Sequence, residues 1–374
     1  MSRTTPLLAC AAFAFAGFVA NAFPIYNNFV TVNGPGDNAG GTTVNGVSNL
    51  GALVGFSSNA NMTVLTNFVR NPDGSLSTLN INNDPLANAN GINSDGEVVG
   101  TTGGDASALN AGLLTILPMA IAGDTASETA FGINDSMTVV GQFVRNSTDT
   151  VPGFVYANNL FTILNPVSNA VVTNAQSVDN NGLVTGFYST DGQHQHGFFY
   201  NTHTGTFVFP ADPVQPNLFL TQFLGVNDNG LAVGYWQDNA GSQHGFFYNV
   251  NTGTYTFLDE PNAGVNNGIE ITQITGINDA NRIAGFYVDG SGVQRGFYAD
   301  PAAAAGVPEP ASLALIGLGL AGMGWRRMRT LQLWQAARDR VLRRKLNSGL
   351  ARFALDKWSG FEKVCEGNIA ARVP

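Results

Sequence analysis

Short runs in which large apolar residues alternate with small or polar ones follow each other along most of this chain, separated by turns rich in Asn, Asp and Gly. A period of two marks strands with one buried face. Leu220–Val226 (LTQFLGV) and Leu231–Trp236 (LAVGYW) form one such pair around Asn227-Asp228-Asn229-Gly230. After a polar loop, His244-Gly245-Phe246-Phe247-Tyr248 predicts a third strand, and Tyr255–Asp259 (YTFLD) a fourth that stops at Pro261. The Asn229-Gly230 pair, like Asp95-Gly96 and Asn181-Gly182, has the composition of a type I′ hairpin turn, whose two central residues need positive φ.

The turn between the first two strands belongs to a ten-residue phrase that recurs. It reads GINSDGEVVG from Gly91, GINDSMTVVG from Gly132, GVNDNGLAVG from Gly225 and GINDANRIAG from Gly276, with looser copies at Gly46 (GVSNLGALVG) and Ser177 (SVDNNGLVTG). Successive copies start 45, 41, 45, 48 and 51 residues apart. Such a period, with four short antiparallel strands per unit, is that of a propeller blade. The third and fourth strands recur at Gly153–Tyr156 with Leu160–Leu164, and at His196–Tyr200 with Phe207–Phe209. In the second unit the third strand has decayed to Ser107–Asn110. The last unit has Arg295-Gly296-Phe297-Tyr298 but then runs into Asp300-Pro301 and alanines, with no fourth strand. Ile25–Pro35 (IYNNFVTVNGP) precedes the first phrase and has no third strand before it. The orphan at one end fits the vacancy at the other. The expected fold is therefore all-β, a six-bladed β-propeller of four-stranded blades over residues 23–300, closed by its N-terminal strand so that no sheet edge is left open. An open β-solenoid or a sandwich competes, because a period alone does not prove closure.

Charge separates the repeats from the C-terminal segment. Between Phe23 and Gly306 stand 21 acidic residues against four basic ones, Arg70, Arg145, Arg282 and Arg295, and no lysine. From Ala311 onward there are 12 basic and four acidic residues. A surface as acidic as that of the repeats repels nucleic acid and anionic lipid, so nucleic acid is excluded as a partner and solubility outside the cell is the simple reading. Cys10 and Cys365 both lie outside the repeats, whose stability must then come from apolar packing.

Both ends carry targeting information. Arg3, the apolar run Leu7–Val19 and Ala20-Asn21-Ala22 before Phe23 predict a signal peptide over 1–22, helical until removed, and passage through the Sec machinery. Leu7-Leu8-Ala9-Cys10 has the look of a lipoprotein box, but the apolar stretch before the cysteine is too short for a signal core. At the other end a linker (301–310) carries Val307-Pro308-Glu309-Pro310, and the apolar run 311–325 ends at Trp325 before Arg326-Arg327-Met328-Arg329. The prolines stop a helix from extending backward, and the arginines favour leaving that side cytoplasmic. The run is shorter than the roughly 20 residues that span a bilayer comfortably.

The phrase Gly-Ile-Asn-Asp-x-Gly-x-Val-Val-Gly followed by His-Gly-Phe-x-Tyr resembles the HAF extracellular repeat of bacterial exported proteins, over Gly46–Tyr298. That resemblance implies a secreted propeller-like array and no particular activity. Pro308-Glu309-Pro310, the apolar run and Arg326-Arg327 are similar to a PEP-CTERM sorting signal. It implies recognition by an exosortase-type sorting protease of a Gram-negative, polysaccharide-producing bacterium, transient anchoring through 311–325, and delivery to the cell surface or matrix. A plain tail anchor is the alternative. The basic tail 326–374 departs from the pattern, because such signals usually end soon after their arginines. It reads either as a helix on anionic lipid or as an extension from a shifted frame.

Candidate chemistry is sparse. His194-x-His196 would place two imidazoles on one face of a strand, a spacing zinc accepts, with His203 and His244 elsewhere. His196 and His244, however, hold the same place in successive repeats, and no third ligand is evident, so no metal and no cofactor is expected. The Asn/Asp turns lack the distal glutamate of a calcium loop. No nucleophile elbow or phosphate loop occurs, and the adjacent Asp259 and Glu260 would face opposite ways on a strand. The expectation is a non-catalytic binding or structural component, using loops and a central opening, with extracellular polysaccharide as a candidate partner. A secreted propeller hydrolase or lyase acting on glycans is the rival, and carboxylates converging on the axis would favour it.

Overall fold

The computed structural model describes residues 23–302 apart from 37, 38 and 149, and every regular element among them is a strand. Five four-stranded sheets are consecutive in sequence. Blade 1 is β2 (Gly41–Val47), β3 (Leu53–Ser58), β4 (Leu65–Arg70) and β5 (Leu76–Leu79). Blade 2 is β6 (Asn88–Ile92), β7 (Val98–Thr102), β8 (Asp105–Asn110) and β9 (Leu113–Ile116). Blade 3 is β10 (Thr125–Ile133), β11 (Val139–Arg145), β12 (Gly153–Ala157) and β13 (Leu160–Leu164). Blade 4 is β14 (Val172–Val178), β15 (Leu183–Ser189), β16 (His196–Asn201) and β17 (Thr206–Val208). Blade 5 is β18 (Leu218–Val226), β19 (Leu231–Asp238), β20 (Gln243–Asn249) and β21 (Thr254–Phe257).

The sixth sheet joins the two ends. β22 (Thr272–Ile277), β23 (Ile283–Val288) and β24 (Gln294–Pro301) are completed by β1 (Tyr26–Val32), with Phe29 opposite Ala299, Thr31 opposite Phe297 and Val32 opposite Gly296. The orphan strand fills the vacancy, and the protein is a closed six-bladed β-propeller; the open solenoid and the sandwich are ruled out.

Two glycines of the recurring phrase are explained by close approach. The last one (Gly55, Gly100, Gly141, Gly186, Gly234, Gly285) lies against the innermost strand of its own blade. A Cβ there would stand 1.7–2.1 Å from a backbone carbonyl oxygen in every blade. The first one faces the next blade at the axis: a Cβ on Gly91 would lie 2.6 Å from the Phe131 carbonyl oxygen. Between blades, the glycine of the third strand makes room for a large neighbour. Gly197 sits under Phe223, and Gly245 under Ile274. The aromatic residues after it (Phe154, Phe198, Phe246, Phe297) are fully buried, and apolar clusters between neighbouring blades hold the ring together. The fourth strands are largely exposed at the rim.

Two details differ from the reading of the sequence. The phrase turns are not type I′. At Asn227–Leu231 the Gly230 N–H donates to the Asn227 carbonyl and Asn227 N–H to that of Leu231, and of the three loop residues only Gly230 has positive φ. That is a type I turn closed by a left-handed residue, because the loop holds three residues instead of two. Met137 and Asn281 take the left-handed place where the phrase lacks glycine. True two-residue loops with both φ positive occur elsewhere, at Gly103-Gly104, Ala111-Gly112 and Asn158-Asn159. The fourth strand of blade 5 also ends at Phe257 rather than Asp259, because the Asp259 side chain turns back to His244.

Candidate functional site

The phrase residues meet around the axis. Ser48, Asn93, Asn134, Asp179, Asn227 and Asn278, all buried, open the six turns. Each side-chain oxygen accepts the backbone N–H four residues on, at 2.7–3.1 Å. Where the residue is Asn, its Nδ2 is left to donate across to the next blade. Asn134 donates to Asp179 O at 2.9 Å, Asn227 to Asn278 O at 2.9 Å, Asn278 to Ser48 O at 2.9 Å, and Asn93 to Asn134 O at 3.4 Å. The following residue adds a second ring. The N–H of Ser94 donates to Asp135, that of Asp135 to Asn180, Asn180 to Asp228, Asp228 to Asp279 and Asp279 to Asn49, each at 2.7–3.0 Å. The Asn/Asp pairs are thus the seam between blades. Turn chemistry alone does not reveal this, since each partner lies a whole repeat away.

Carboxylates do converge here: Asp135, Asp179, Asp228 and Asp279 border the axial cavity. Burial pushes Asp179 up to about 6, helped by the nearby Asp228 charge, and burial raises Asp279 for the same pair of reasons. Their oxygens are nevertheless engaged. Asp135 accepts from Ser94 N and Oγ, and Asp228 from the Asn180 backbone and amide. Below this ring each innermost strand carries a bulge, and the bulged residues Asn45, Asn90, Phe131, Gln176, Leu224 and Thr275 line the cavity. They leave about 80 Å³ along the axis, room for a few waters. The opening at the axis is narrow.

The histidines do not converge. His194 Nδ1 pairs with Asp191 at 2.7 Å and His196 Nδ1 with Asp212 at 2.7 Å. His244 pairs with Asp259 at 2.9 Å and stacks on Trp236, centroids 4.6 Å apart. This hydrogen bond holds the His244 imidazole above its ordinary pKa. His203 lies at the far end of β16, beside the Gly182 turn. Among the described residues no group of three or more His, Cys, Asp or Glu side chains is placed to hold a metal ion. Glu260 is buried and binds the Asn262 backbone, apart from Asp259.

Of the sorting and cleavage residues only Phe23 is among the described residues. It packs on Phe247, rings 6.4 Å apart. Ala20, Ala22, Pro308, Glu309, Pro310, Arg326 and Arg327, with both expected helices, the linker and the tail, lie outside them.

Residues 306–329 match the PEP-CTERM protein-sorting motif, which implies export, membrane anchoring and processing by an exosortase. No curated protein sequence matches the chain. Among solved structures it is similar to TolB from Acinetobacter baumannii, at 10% identity and TM-score 0.45, over 71% of this chain and 65% of that one. It is also similar to a fucose-specific lectin from Aleuria aurantia (9%, TM-score 0.44, 73% and 100%) and to the β-propeller domain of the Trilobed protease from Pyrococcus furiosus (9%, 0.39, 70% and 96%). This chain spans less than two thirds of TolB, and likeness at this level assigns no activity. What the chain itself establishes is a closed six-bladed propeller followed directly by a PEP-CTERM sorting motif.

Proposed function

We propose that the protein is an exported, non-catalytic binding or structural component of the cell surface or extracellular matrix of a Gram-negative bacterium, associated there with exopolysaccharide. Sec carries it out, and an exosortase-type protease releases it from the anchor 311–325. The observation that carries this reading is the order of parts: a closed ring ending at Pro301 and, five residues on, a sorting motif that addresses the ring to the outside. The resemblance of the recurring phrase to HAF repeats, which implies an extracellular array, supports the same reading. A ring with an acidic surface, few cations and a narrow axis is suited to present its faces rather than to enclose a substrate.

The glycan-enzyme reading draws support from the carboxylates at the axial mouth. Against it, three of these four carboxylates, Asp135, Asp228 and Asp279, each spend one oxygen on a backbone N–H of the adjacent blade, and Asp179 spends one on Leu183 N–H of its own. A test uses full-length protein in detergent incubated with the exopolysaccharide of the producing cells. Retention of the polymer without new reducing or unsaturated ends is expected. Failure to retain it contradicts matrix association, and steady release of new ends establishes the enzyme.

A further inference from the structure

The face opposite the Asn/Asp ring carries a second concavity, between blades 4 and 5. It is formed by the β15–β16 loop, the connection from β17 to β18 and the start of β18, and it encloses about 430 Å³. That volume is within the range of small-ligand sites, unlike the axis. The connection contains Pro210, Pro213 and Pro216, so one wall is a segment with fixed φ at every third residue.

One oxygen of Asp191 orders the β15–β16 loop by accepting the Gln193 and His194 N–H groups, and the other meets the His194 ring. His194 and Asp191 are both about half exposed, at 53% and 50%, and a hydrogen-bonded pair in that setting adds little stability. What the pair does is orient the ring. With Nδ1 held by Asp191, and that of His196 held by Asp212, each imidazole keeps Nε2 as its remaining hydrogen-bonding atom. Apolar rings stand beside both. Phe219 lies 4.9 Å from the His194 ring, and Tyr188 5.8 Å from His196, with the exposed Phe209 against Tyr188. Neither Lys nor Arg lines the groove, while Asp191 and Asp212 do.

Blade 5 provides an internal comparison. It repeats the arrangement with Trp236, His244, Asp259 and Phe257, but there it is closed. The larger Trp236 lies flat on His244, leaving the imidazole 22% exposed against 46% for His196. The buried Ser242 stands where blade 4 has His194. Blade 4 thus has Tyr188 where blade 5 has Trp236, and its imidazole is left exposed.

We propose that this groove binds a neutral saccharide. Apolar ring surface meets the C–H face of a sugar, oriented imidazoles and carboxylates meet its hydroxyl rim, and the bordering carboxylates, with no Lys or Arg beside them, disfavour uronate or sulfated chains. The proposal rests on the matrix reading above and gives it a ligand class and a place.

The test is titration of full-length protein in detergent, by calorimetry and saturation-transfer NMR, with neutral hexasaccharides of cellulose, maltose, β-galactan and mannan, and with a mannuronate hexasaccharide. At least one neutral probe should bind at millimolar concentration or below. His196→Ala and His194→Ser, both at exposed positions, should weaken it about tenfold with unchanged melting, and Phe257→Ala on blade 5 should not. No binding by any neutral probe, preference for the mannuronate, or indifference to both histidine variants would overturn the groove. The two readings fail separately. Polymer retained equally by wild type and both variants sinks the groove alone, whereas neutral probe bound by a protein that retains no polymer sinks matrix association alone.

Discussion

Asp179 stands where blades 2, 3, 5 and 6 have Asn93, Asn134, Asn227 and Asn278. It keeps the oxygen that accepts Leu183 N–H but lacks the amide that would donate to Asn227 O, and burial raises its pKa to about 6. A carboxyl whose pKa is higher folded than unfolded stabilises while protonated, so this contribution is whole below the usual 3.8 and is lost as pH rises through about 6. Asp179→Asn removes that loss and supplies the missing donor. A gain of about 1–2 kcal/mol at pH 8 is expected, after allowing for solvent at the rim, and a smaller gain at pH 4; urea unfolding at the two values checks it. A gain that is larger at pH 4 would contradict the assignment. In the sequence these Asn and Asp residues were legible as turn formers only. Their bonds to the next blade, 41–51 residues on, depend on how the blades pack, which no local pattern encodes.

At the scale of the strand, alternation places the hairpins where large apolar residues recur, as in Leu160–Leu164, but in blade 2 it shows only part of β8 and not β9, because Leu109 is the one large apolar residue of β8. Turn type was misread at the phrase because Asn-Gly composition does not reveal loop length, and the end of β21 was misread because Asp259 is drawn to His244. The closing glycine of the phrase makes a sharp prediction. Gly234→Ala drives a methyl to 1.9 Å from the Gln222 carbonyl oxygen, so the innermost two strands must part. A loss of about 1–3 kcal/mol is expected in urea unfolding. Gly96→Ala, with open space around it, should cost less, through its positive φ alone. Equal losses at the two sites would mean that β18 and β19 are not in such close contact.

For the whole molecule, six phrases and an orphan strand were enough to read a closed ring, because the missing strand at one end was present at the other. The width of the axis was not legible. It is set by the bulged residues, which vary from Asn45 to Phe131 to Leu224 and follow no repeat. The junction of blades 6 and 1 carries its own clamp. Arg282 binds Asp300 through Nε at 2.6 Å and Nη2 at 2.8 Å, reaches Gly51 O at 3.1 Å, and lies over Tyr298, as does Arg70. Arg282→Ala should cost about 1–3 kcal/mol in urea unfolding and loosen this junction first. Arg282→Lys should rescue it only in part, since an ammonium cannot make the bidentate contact. Closure itself is tested most directly by native-state hydrogen exchange read peptide by peptide. If β1 completes the sixth blade, those amides of 29–32 that point toward β24, every second one, exchange as slowly as the amides of β24 and open together with them. Rapid exchange of every amide of 29–32 beside a protected β24 would show an unsealed edge and contradict the ring.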